Sequence, residues 1–362
     1  MRVLQVCADR GIPPGGTKGA SAHLAHVAGA LSSRGHEVRT LARALPEPVN
    51  THPVSTDVLE GPLSIKRSIG RLGGADLIYE RYSLGHLDAM LTAEAAGIRF
   101  ALEVNAPLTL EARAHRHRDI SPAQLHAERR LFTEAPLVFP VSHVLADHVV
   151  SIRGTTEGVT VIANGAHPND FPIPAHHETA PTLVFLGHPK PWHGGKGLPV
   201  LAASLAARFP DLRVIVVGGG AGAREIVECA HAMGVSGRFE ITGPVDRSRV
   251  AALLCDSSVG VAPYPHSDFF YFSPLKIVEY MMAGLPVVAT DVGDVRATLG
   301  PGGFVVPPGN PDMFAEACAS LLADREERLR VGTAGRDRAS LLYTWDAVAA
   351  QIETAAGMVT AG

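Results

Sequence analysis

The stretch DFFYFSPLKIVEYMMAGLP, residues 268–286, has the pattern of a loop that leads into a short helix. Ser273 is a suitable N-cap, Pro274 suits the first helical position, and the closing Gly-Leu-Pro predicts the helix end. Lys276 is unexpected there, because the dipole and free N–H groups of a first helical turn favour negative charge. A bound phosphate would make this lysine favourable, and Glu279, on the same helix face, could then accept a hydrogen bond from a sugar hydroxyl. An ordinary surface ion pair between Lys276 and Glu279 is the alternative.

Apolar runs alternate with helical patterns on both sides of this stretch. Near the N-terminus, Val3–Val6 is followed by a glycine-rich loop, a helix over 21–34 and a strand over 36–41, which predicts a βαβ unit. The alternation starts again at Thr182, after a proline-rich segment at 168–181 that is typical of a linker. Two successive βα series of similar size predict an α/β fold of two doubly wound, Rossmann-like domains that face each other across a cleft.

Chain length also favours two domains, because 362 residues are many for a single core. The predicted N-terminal domain covers 1–168 and the predicted C-terminal domain covers 169–340. The remainder, 341–362, is expected to hold a last helix that packs back towards the N-terminal domain. Within the first domain we also expect an irregular loop over 45–63 and a strand over Val159–Ile162.

Composition excludes several classes of protein. A hydrophobic content of 46% with 19% charged residues indicates a globular chain, and a net charge of −4 argues against a nucleic-acid partner. No apolar run reaches the ~18–20 residues of a membrane span, and the first residues do not resemble a signal peptide. The four cysteines are scattered, as in a reducing compartment, so we expect a cytoplasmic protein. Peripheral contact with a membrane and the oligomeric state are left open.

Polar side chains follow two predicted strands of the first domain. Glu80, Arg81 and Tyr82 come after one strand, and Glu103 and Asn105 end the next. Ligands of open α/β sheets bind beyond the carboxyl ends of the strands, so these five residues are candidates for a binding site. The alternative is a structural role in capping and ion pairing, with Arg81 bound to Glu80 or Glu103.

Glycine-rich loops carry most of the few lysines in the chain. Gly16 and Lys18 lie in one such loop, and Lys190, His193 and Lys196 lie in another that begins at Gly187. Neither loop has the spacing of a dinucleotide-binding fingerprint or of a P-loop. The glycines allow a ligand to approach the backbone closely, and a flexible turn is the alternative.

A cluster of histidine and arginine, His115–Arg118, falls in a polar stretch over 109–134. It lacks a metal-binding spacing such as HExxH, so we expect no metal site there. The stretch is more typical of a solvated helix or of a lid beside a binding site.

Several of these motifs, in this order, resemble those of the family four glycosyltransferases, which are retaining, nucleotide-sugar-dependent enzymes of GT-B fold. The motifs that carry the resemblance are Gly16–Gly19, Pro191–Gly194, Gly243-Pro244, Ser273–Lys276 with Glu279, and Ala283–Ala289. The resemblance covers essentially the whole chain and is strongest from Leu183 to Trp345. It implies that the N-terminal domain lies on the acceptor side and that the C-terminal domain binds the donor.

Roles for individual residues follow from the resemblance. Glu279 is similar to the carboxylate that holds the donor ribose, and the turn at Ser273–Lys276 is similar to the cradle of the donor phosphates, although Pro274 has no N–H to donate. The implied donor-binding residues are Gly16, Gly187, Gly243, Pro244, Val245, Tyr271, Ser273, Pro274, Leu275, Lys276 and Glu279. The implied catalytic residues are Lys190, Lys196, His193 and Asn105, and the expected acceptor-binding residues are Lys18, Glu80, Arg81, Tyr82 and Glu103.

The chain departs from the family pattern at two positions. The family has a first glutamate, associated with the donor sugar, where this sequence has Tyr271. Asn105 stands in a loop where many relatives carry a histidine, and an amide cannot titrate. The identity of the donor sugar is therefore open.

The resemblance implies transfer of a sugar to a hydroxyl of a small acceptor by a front-face mechanism, without a cofactor or a metal ion. Lysines and a helix N-terminus would stabilise the leaving diphosphate, as donors of an oxyanion site do. A nucleotide-sugar epimerase, a sugar phosphorylase and a non-catalytic sugar-nucleotide-binding protein are the alternatives. A dehydrogenase is disfavoured because neither half carries the dinucleotide fingerprint.

Overall fold

The computed structural model describes residues 1–16, 18–47, 52–115, 119–171 and 180–358, without the side chains of 114 and 115. The chain forms two compact units. The first comprises Met1–Asn164, Tyr271–Ser273 and Trp345–Gly362, and the second comprises Gly165–Phe270 and Pro274–Thr344. The predicted domains, 1–168 and 169–340, did not anticipate that Tyr271–Ser273 belongs to the first unit.

A six-stranded parallel sheet forms the centre of the first unit, with the strand order β3-β2-β1-β4-β5-β6. Its strands are β1 Arg2–Cys7, β2 Glu37–Ala42, β3 Thr56–Val58, β4 Leu77–Arg81, β5 Arg99–Val104 and β6 Leu137–Pro140. Its helices are α1 Gly19–Ser33, α2 Pro62–Arg71, α3 Asp88–Ala96, α4 Leu108–His115, α5 Pro122–Glu134 and α6 His143–Arg153, and the C-terminal helix is Trp345–Ala355.

The C-terminal helix belongs to the core of the first unit. Trp345 and Ile352 are buried in one cluster with Leu31 of α1 and Tyr79 of β4. At the end of α1, Arg34 donates hydrogen bonds at 2.9 Å to Glu353 and Asp346 of this helix. The apolar stripe and the arginine together fix the helix on α1.

A second six-stranded parallel sheet forms the centre of the second unit, with the order β12-β11-β10-β7-β8-β9. Its strands are β7 Thr182–Leu186, β8 Arg213–Val217, β9 Phe239–Gly243, β10 Val259–Ala262, β11 Val287–Thr290 and β12 Gly303–Val306. Its helices are α7 Leu198–Leu205, α8 Ala221–Ala232, α9 Arg247–Cys255, α10 Leu275–Met282, α11 Val295–Leu299, α12 Pro311–Ala323 and α13 Arg325–Leu342.

Two local predictions are wrong, and one short helix was missed. The region 45–63 contains β3 and the start of α2, and its residues 48–51 lie outside the described ones. Val159–Ile162 forms no regular strand but a single parallel bridge from Val159 to Val138. The short helix α11 was not predicted. Neither β3, with the sequence Thr-Asp-Val, nor the five-residue α11 contains a continuous apolar run, so tertiary contacts decide them.

Helices in both units are modest in length. The 18-residue α13 is rich in arginine and glutamate. Within the described ranges, no helix is both long and apolar enough to cross a membrane.

Candidate functional site

The second sheet changes winding direction between β7 and β10. From β7 the chain continues to β8 on one side, while β10 lies on the other side of β7. Such a point opens a crevice beyond the carboxyl ends of the two strands, where α/β proteins bind ligands. The predicted loop that starts at Gly187 follows β7 directly, and Tyr264 follows β10. The predicted loop that starts at Gly187 therefore lies at this crevice.

The ammonium of Lys276 is buried at this crevice. Its Nζ lies 4.1 Å from the ring centroid of Phe185, near the end of β7, and 5.3 Å from that of Tyr264. Nζ has no hydrogen-bond partner among the described residues. Burial lowers the pKa of Lys276 to about 7, and the negative charge of Glu279 only partly opposes this. A buried cation without a hydrogen-bond partner is costly, and costly charged groups concentrate at functional sites.

The start of α10 differs from the prediction by one residue. The helix begins at Leu275 with Pro274 as its N-cap, and no side chain caps it. Ser273, the predicted N-cap, instead accepts a hydrogen bond at 3.2 Å from the backbone N–H of Asn164. The amides of Leu275 and Lys276 are first-turn N–H groups, which have no partner within a helix and can bind an anion.

His193 lies close to this ammonium. Burial and, to a smaller extent, the positive charge of Lys276 together lower the pKa of His193 to about 4. His193 Nδ1 is 2.7 Å from the carbonyl oxygen of His188, so Nδ1 carries the proton and donates it. The neutral ring then has a lone pair on Nε2, which can accept a hydrogen bond.

Lys190 and Lys196 line one cavity of about 410 Å³ in the second unit. The cavity lies between the loop after β7 and the start of α8, and Gly219 and Gly220 form part of its wall. Lys190 is exposed there, whereas Lys196 forms an ion pair at 2.8 Å with Glu225. The positive charge of Lys190 also contributes to the lowered pKa of His193.

Two glycines allow close backbone contacts of the Lys190–Lys196 loop and the residues before it. Gly194 has φ +72°, and a Cβ there would lie 1.7 Å from the carbonyl oxygen of Pro263. A Cβ on Gly222, in α8, would lie 1.9 Å from the carbonyl oxygen of Pro189. No side chain fits at these distances, so the position of the Lys190–Lys196 loop depends on both glycines.

Glu279 is not paired with Lys276. Its carboxylate Oε1 accepts a hydrogen bond from Arg247 Nη1, and Arg247 Nη2 also binds Asp170 at 2.9 Å. The alternative of a Lys276–Glu279 ion pair is therefore wrong, because Arg247 reaches the carboxylate from the neighbouring helix α9. Sequence analysis missed Arg247 and Asp170, although Arg247, like Lys276, is a cation in a first helical turn.

The predicted nucleobase segment follows β9. Gly243 has φ +66° and forms an isolated bridge with Gly218, while Pro244 is exposed and Val245 is half-buried. The segment thus adjoins the glycines that follow β8. Its role in binding a base stays a prediction.

In the first unit, the predicted acceptor residues are largely bound to one another or to neighbours. Glu103 accepts a hydrogen bond from His23 and lies 3.6 Å from Arg81. Burial would raise the pKa of Glu103, but the positive charges of His23 and Arg81 and the hydrogen bond from His23 lower it to about 2. The ion-pairing alternative for Arg81 is the one that the structure shows.

Glu80 and Tyr82 are buried, and each has a polar group bound to a neighbour within the first unit, so their acceptor roles stay predictions. Glu80 is fully buried, and its carboxylate lies 2.5 Å from His86 Nδ1. Tyr82 is buried and donates a hydrogen bond at 2.6 Å to Glu128. Their partners are His86 and Glu128, and no local spacing in the sequence predicts these two contacts.

The remaining predicted residues of the first unit are placed as follows. Lys18 precedes α1, is exposed, and donates a hydrogen bond at 3.1 Å to the carbonyl of Gly11. Gly16 is buried in its own loop, where a Cβ would meet Ser21 Oγ at 2.9 Å. Asn105 follows β5 and is half-buried. These positions leave the predicted roles of Lys18, Gly16 and Asn105 untested.

Tyr271 is a buried residue of the first unit. Its hydroxyl donates a hydrogen bond to Glu111, and its carbonyl accepts one at 2.6 Å from Ser142 Oγ. These contacts explain why a segment from the second half of the sequence belongs to the first unit. Of the predicted cluster His115–Arg118, residues 116–118 lie outside the described ones, and the described residues contain no group of three metal-ligating side chains.

Two family models match the chain in consecutive regions. The model described as Glycosyltransferase Family 4 matches residues 17–170, and the model described as Glycosyl transferases group 1 matches residues 180–324. The chain belongs to the family four glycosyltransferases. The predicted family and enzyme class are confirmed.

Curated relatives agree with this assignment. The chain is 30% identical to a D-inositol 3-phosphate glycosyltransferase of Corynebacterium glutamicum over 190 residues. This alignment covers 50% of this chain and 44% of that protein. It is 26% identical to a phosphatidyl-myo-inositol mannosyltransferase of Mycobacterium leprae over 372 residues. This alignment covers 97% of this chain and 95% of that protein. The matches of higher identity thus span less than half of the relatives' length.

Solved structures confirm the predicted fold class, GT-B with two Rossmann-like domains. Anabaena Alr3699/HepE, solved in complex with UDP, aligns with a TM-score of 0.76 at 18% identity, over 99% of this chain and all of that one. A glycosyltransferase from Rickettsia africae aligns with a TM-score of 0.75 at 16% identity, over 100% and 99%.

Proposed function

We propose that this protein transfers a sugar from a nucleotide-diphosphate sugar to a hydroxyl of a small acceptor, with retention of configuration and without a metal ion. The observation that carries the proposal is Lys276. Its ammonium is buried at the point where the second sheet changes direction, in the first turn of α10, with no hydrogen-bond partner among the described residues. A diphosphate is the ligand that matches a lysine and free amide N–H groups at one helix end.

The leaving group determines the chemistry of such a transfer. As the sugar–phosphate bond breaks, negative charge develops on the diphosphate, and donors already in place stabilise it without reorganisation. Lys276 and the first-turn amides of α10 are fixed by the fold, whereas Lys190 lies in the adjoining loop. We therefore assign Lys276 to permanent stabilisation of the diphosphate and Lys190 to a second contact that forms with the donor. Lys196, already paired with Glu225, would act at the cavity mouth.

His193 is proposed to recognise the sugar rather than to act as an acid. Its pKa of about 4 keeps the ring neutral at physiological pH, and Nδ1 is committed to the carbonyl of His188. Nε2 can accept a hydrogen bond from a donor hydroxyl beside the phosphates. The proton of the acceptor hydroxyl would pass to the leaving phosphate itself, on the same face of the sugar, which accounts for retention without a carboxylate nucleophile.

Relatives guide the choice of donor and acceptor. One relative from Mycobacterium tuberculosis is described as a GDP-mannose-dependent mannosyltransferase, and others as acting on D-inositol 3-phosphate. The HepE structure contains UDP. We propose GDP-mannose and UDP-sugars as the first donors to test, with a phosphorylated cyclitol such as inositol phosphate as the first acceptor.

The test combines binding and turnover. Wild type, Lys276→Met and the exposed control Lys66→Met would be melted with UDP, GDP, ADP and dTDP, without metal. A nucleotide at about 100 times its Kd stabilises the native state by about 2.7 kcal/mol. We expect one nucleotide to raise the Tm of wild type and of Lys66→Met, but not of Lys276→Met.

Turnover separates transfer from its alternatives. With the matching nucleotide sugar, product with the donor's anomeric configuration should form only when acceptor is present. Epimerisation of the donor sugar without acceptor would instead indicate an epimerase. Cleavage only with inorganic phosphate would indicate a phosphorylase. If no nucleotide stabilises the wild type, the proposal is wrong.

A further inference from the structure

Arg247 joins two carboxylates in the second unit. Its Nη1 donates to Glu279 Oε1, and its Nε and Nη2 lie 3.3 and 2.9 Å from Asp170 Oδ2. The guanidinium carbon also lies 5.3 Å from the ring centroid of Phe171. Residues 170 and 279 come from distant parts of the chain, so the arrangement exists only in the folded unit.

The arrangement is anchored at its Asp170 end. Asp170 ends a short 3-10 turn, with its N–H bonded at 3.1 Å to the carbonyl of His167. Phe171 is buried, and its carbonyl accepts a hydrogen bond at 2.9 Å from Arg336. Asp170 therefore holds Arg247 from a fixed position.

Arg247 is itself in an unfavourable place for a cation. It is the first residue of α9, where the helix dipole favours negative charge. Its side chain is about half exposed, at 53%, and could extend into solvent. That it instead spans two carboxylates indicates that these contacts determine its position.

Only one oxygen of Glu279 is used by this contact. Oε1 binds Arg247, whereas Oε2 accepts no hydrogen bond from a described residue. The side chain of Glu279 is 18% exposed, so it is mostly enclosed but still accessible. A carboxylate held through one oxygen presents the other in a defined direction.

We infer that Arg247 is a positioning residue that fixes Glu279 through Oε1, so that Oε2 meets a ribose hydroxyl of the donor nucleotide. Asp170 supports it from the other side. This inference rests on the proposed function and deepens it, because it predicts how the site distinguishes a ribonucleotide from a 2′-deoxyribonucleotide. The planar guanidinium of an arginine can bind two carboxylates at fixed angles, whereas a lysine ammonium cannot.

The test measures the ratio of Kd values for the 2′-deoxy and ribose forms of the matching nucleoside diphosphate. In wild type the ratio should be roughly tenfold or more, since a lost hydrogen bond to a charged group has about this effect. Arg247→Met should bring the ratio close to one, and Arg247→Lys should lower it part-way. A merely structural role would change both Kd values together and leave the ratio as it is.

Controls keep the result interpretable. Arg249→Met removes the same charge from an exposed position on the same helix and should keep the wild-type ratio. Asp170→Asn should lower the ratio part-way, and combined with Arg247→Met it should cause no further loss, because the two residues act through one contact.

Outcomes distinguish this inference from the proposed function. If Glu279→Gln removes the discrimination but Arg247→Met keeps it, Arg247 does not position Glu279 and the inference is wrong. If Arg247→Met binds the ribose form more tightly than wild type does, Arg247 competes with the donor and the inference is also wrong. If wild type binds neither form, the proposed function fails first.

Discussion

Replacing Lys276 with methionine should stabilise the protein and abolish donor binding. The buried ammonium has a pKa of about 7 instead of its ordinary 10.5. At 1.36 kcal/mol per pH unit, this difference corresponds to about 5 kcal/mol of unfavourable free energy for the charged form in the native state. Methionine has a similar length and no charge, so Lys276→Met should raise the free energy of unfolding at pH 7 by up to about 4 kcal/mol.

The lowered pKa of Lys276 also determines how the stability of wild type changes with pH. Between about pH 7 and pH 10.5 the unfolded state of wild type keeps the Lys276 proton and the native state loses it. Wild-type stability therefore rises with pH in this window, by about 2 kcal/mol from pH 7 to pH 9, whereas the stability of Lys276→Met gains nothing from this residue. The advantage of the variant should shrink accordingly.

Urea denaturation at pH 7 and pH 9 measures both effects, with the nucleotide absent. Lys66→Met is the matched control, because Lys66 is exposed on α2 and its replacement should change stability by less than about 0.5 kcal/mol. A Lys276→Met variant that is less stable than wild type, or whose advantage is the same at both pH values, would refute the account of a buried, destabilising ammonium.

Three further predictions concern affinity and stability. Donor affinity should fall about tenfold from pH 6 to pH 8 as Lys276 loses its proton, with proton uptake on binding at pH 8 in calorimetry; a flat profile would contradict this. Gly222→Ala should lower stability by about 1–3 kcal/mol and weaken donor binding, because its Cβ would displace the Pro189 carbonyl; unchanged denaturation and affinity would argue against that packing. Glu103→Gln should destabilise the protein by about 3 kcal/mol at pH 7, because the charge that binds His23 and Arg81 is lost. The difference should narrow as pH falls from about 4.5 towards 2, where wild type also loses the carboxylate, and a constant difference in acid denaturation would count against the pair.

Local sequence pattern predicted most of the regular elements of both units. Strands over 182–186 and 259–262 and the helix Trp345–Ala355 lie where the apolar periodicity predicts them. The two strands are continuous apolar runs, typical of a parallel sheet buried on both faces, and the apolar side chains of the helix follow its repeat of 3.6 residues. Short elements such as β3 and α11 have no measurable repeat and were missed.

The sequence by itself also determined where a charge is out of place, because a lysine in a first helical turn, Lys276, marks the site through local pattern alone. Which groups face that charge is a tertiary matter. Glu279, three residues away on the same helix, binds Arg247 instead. Arg247 is also bound by Asp170, which lies 77 residues away in the chain. The ammonium of Lys276 lies over two aromatic rings. Charged side chains pair according to distance and burial in the folded unit, and neither quantity is encoded in local spacing.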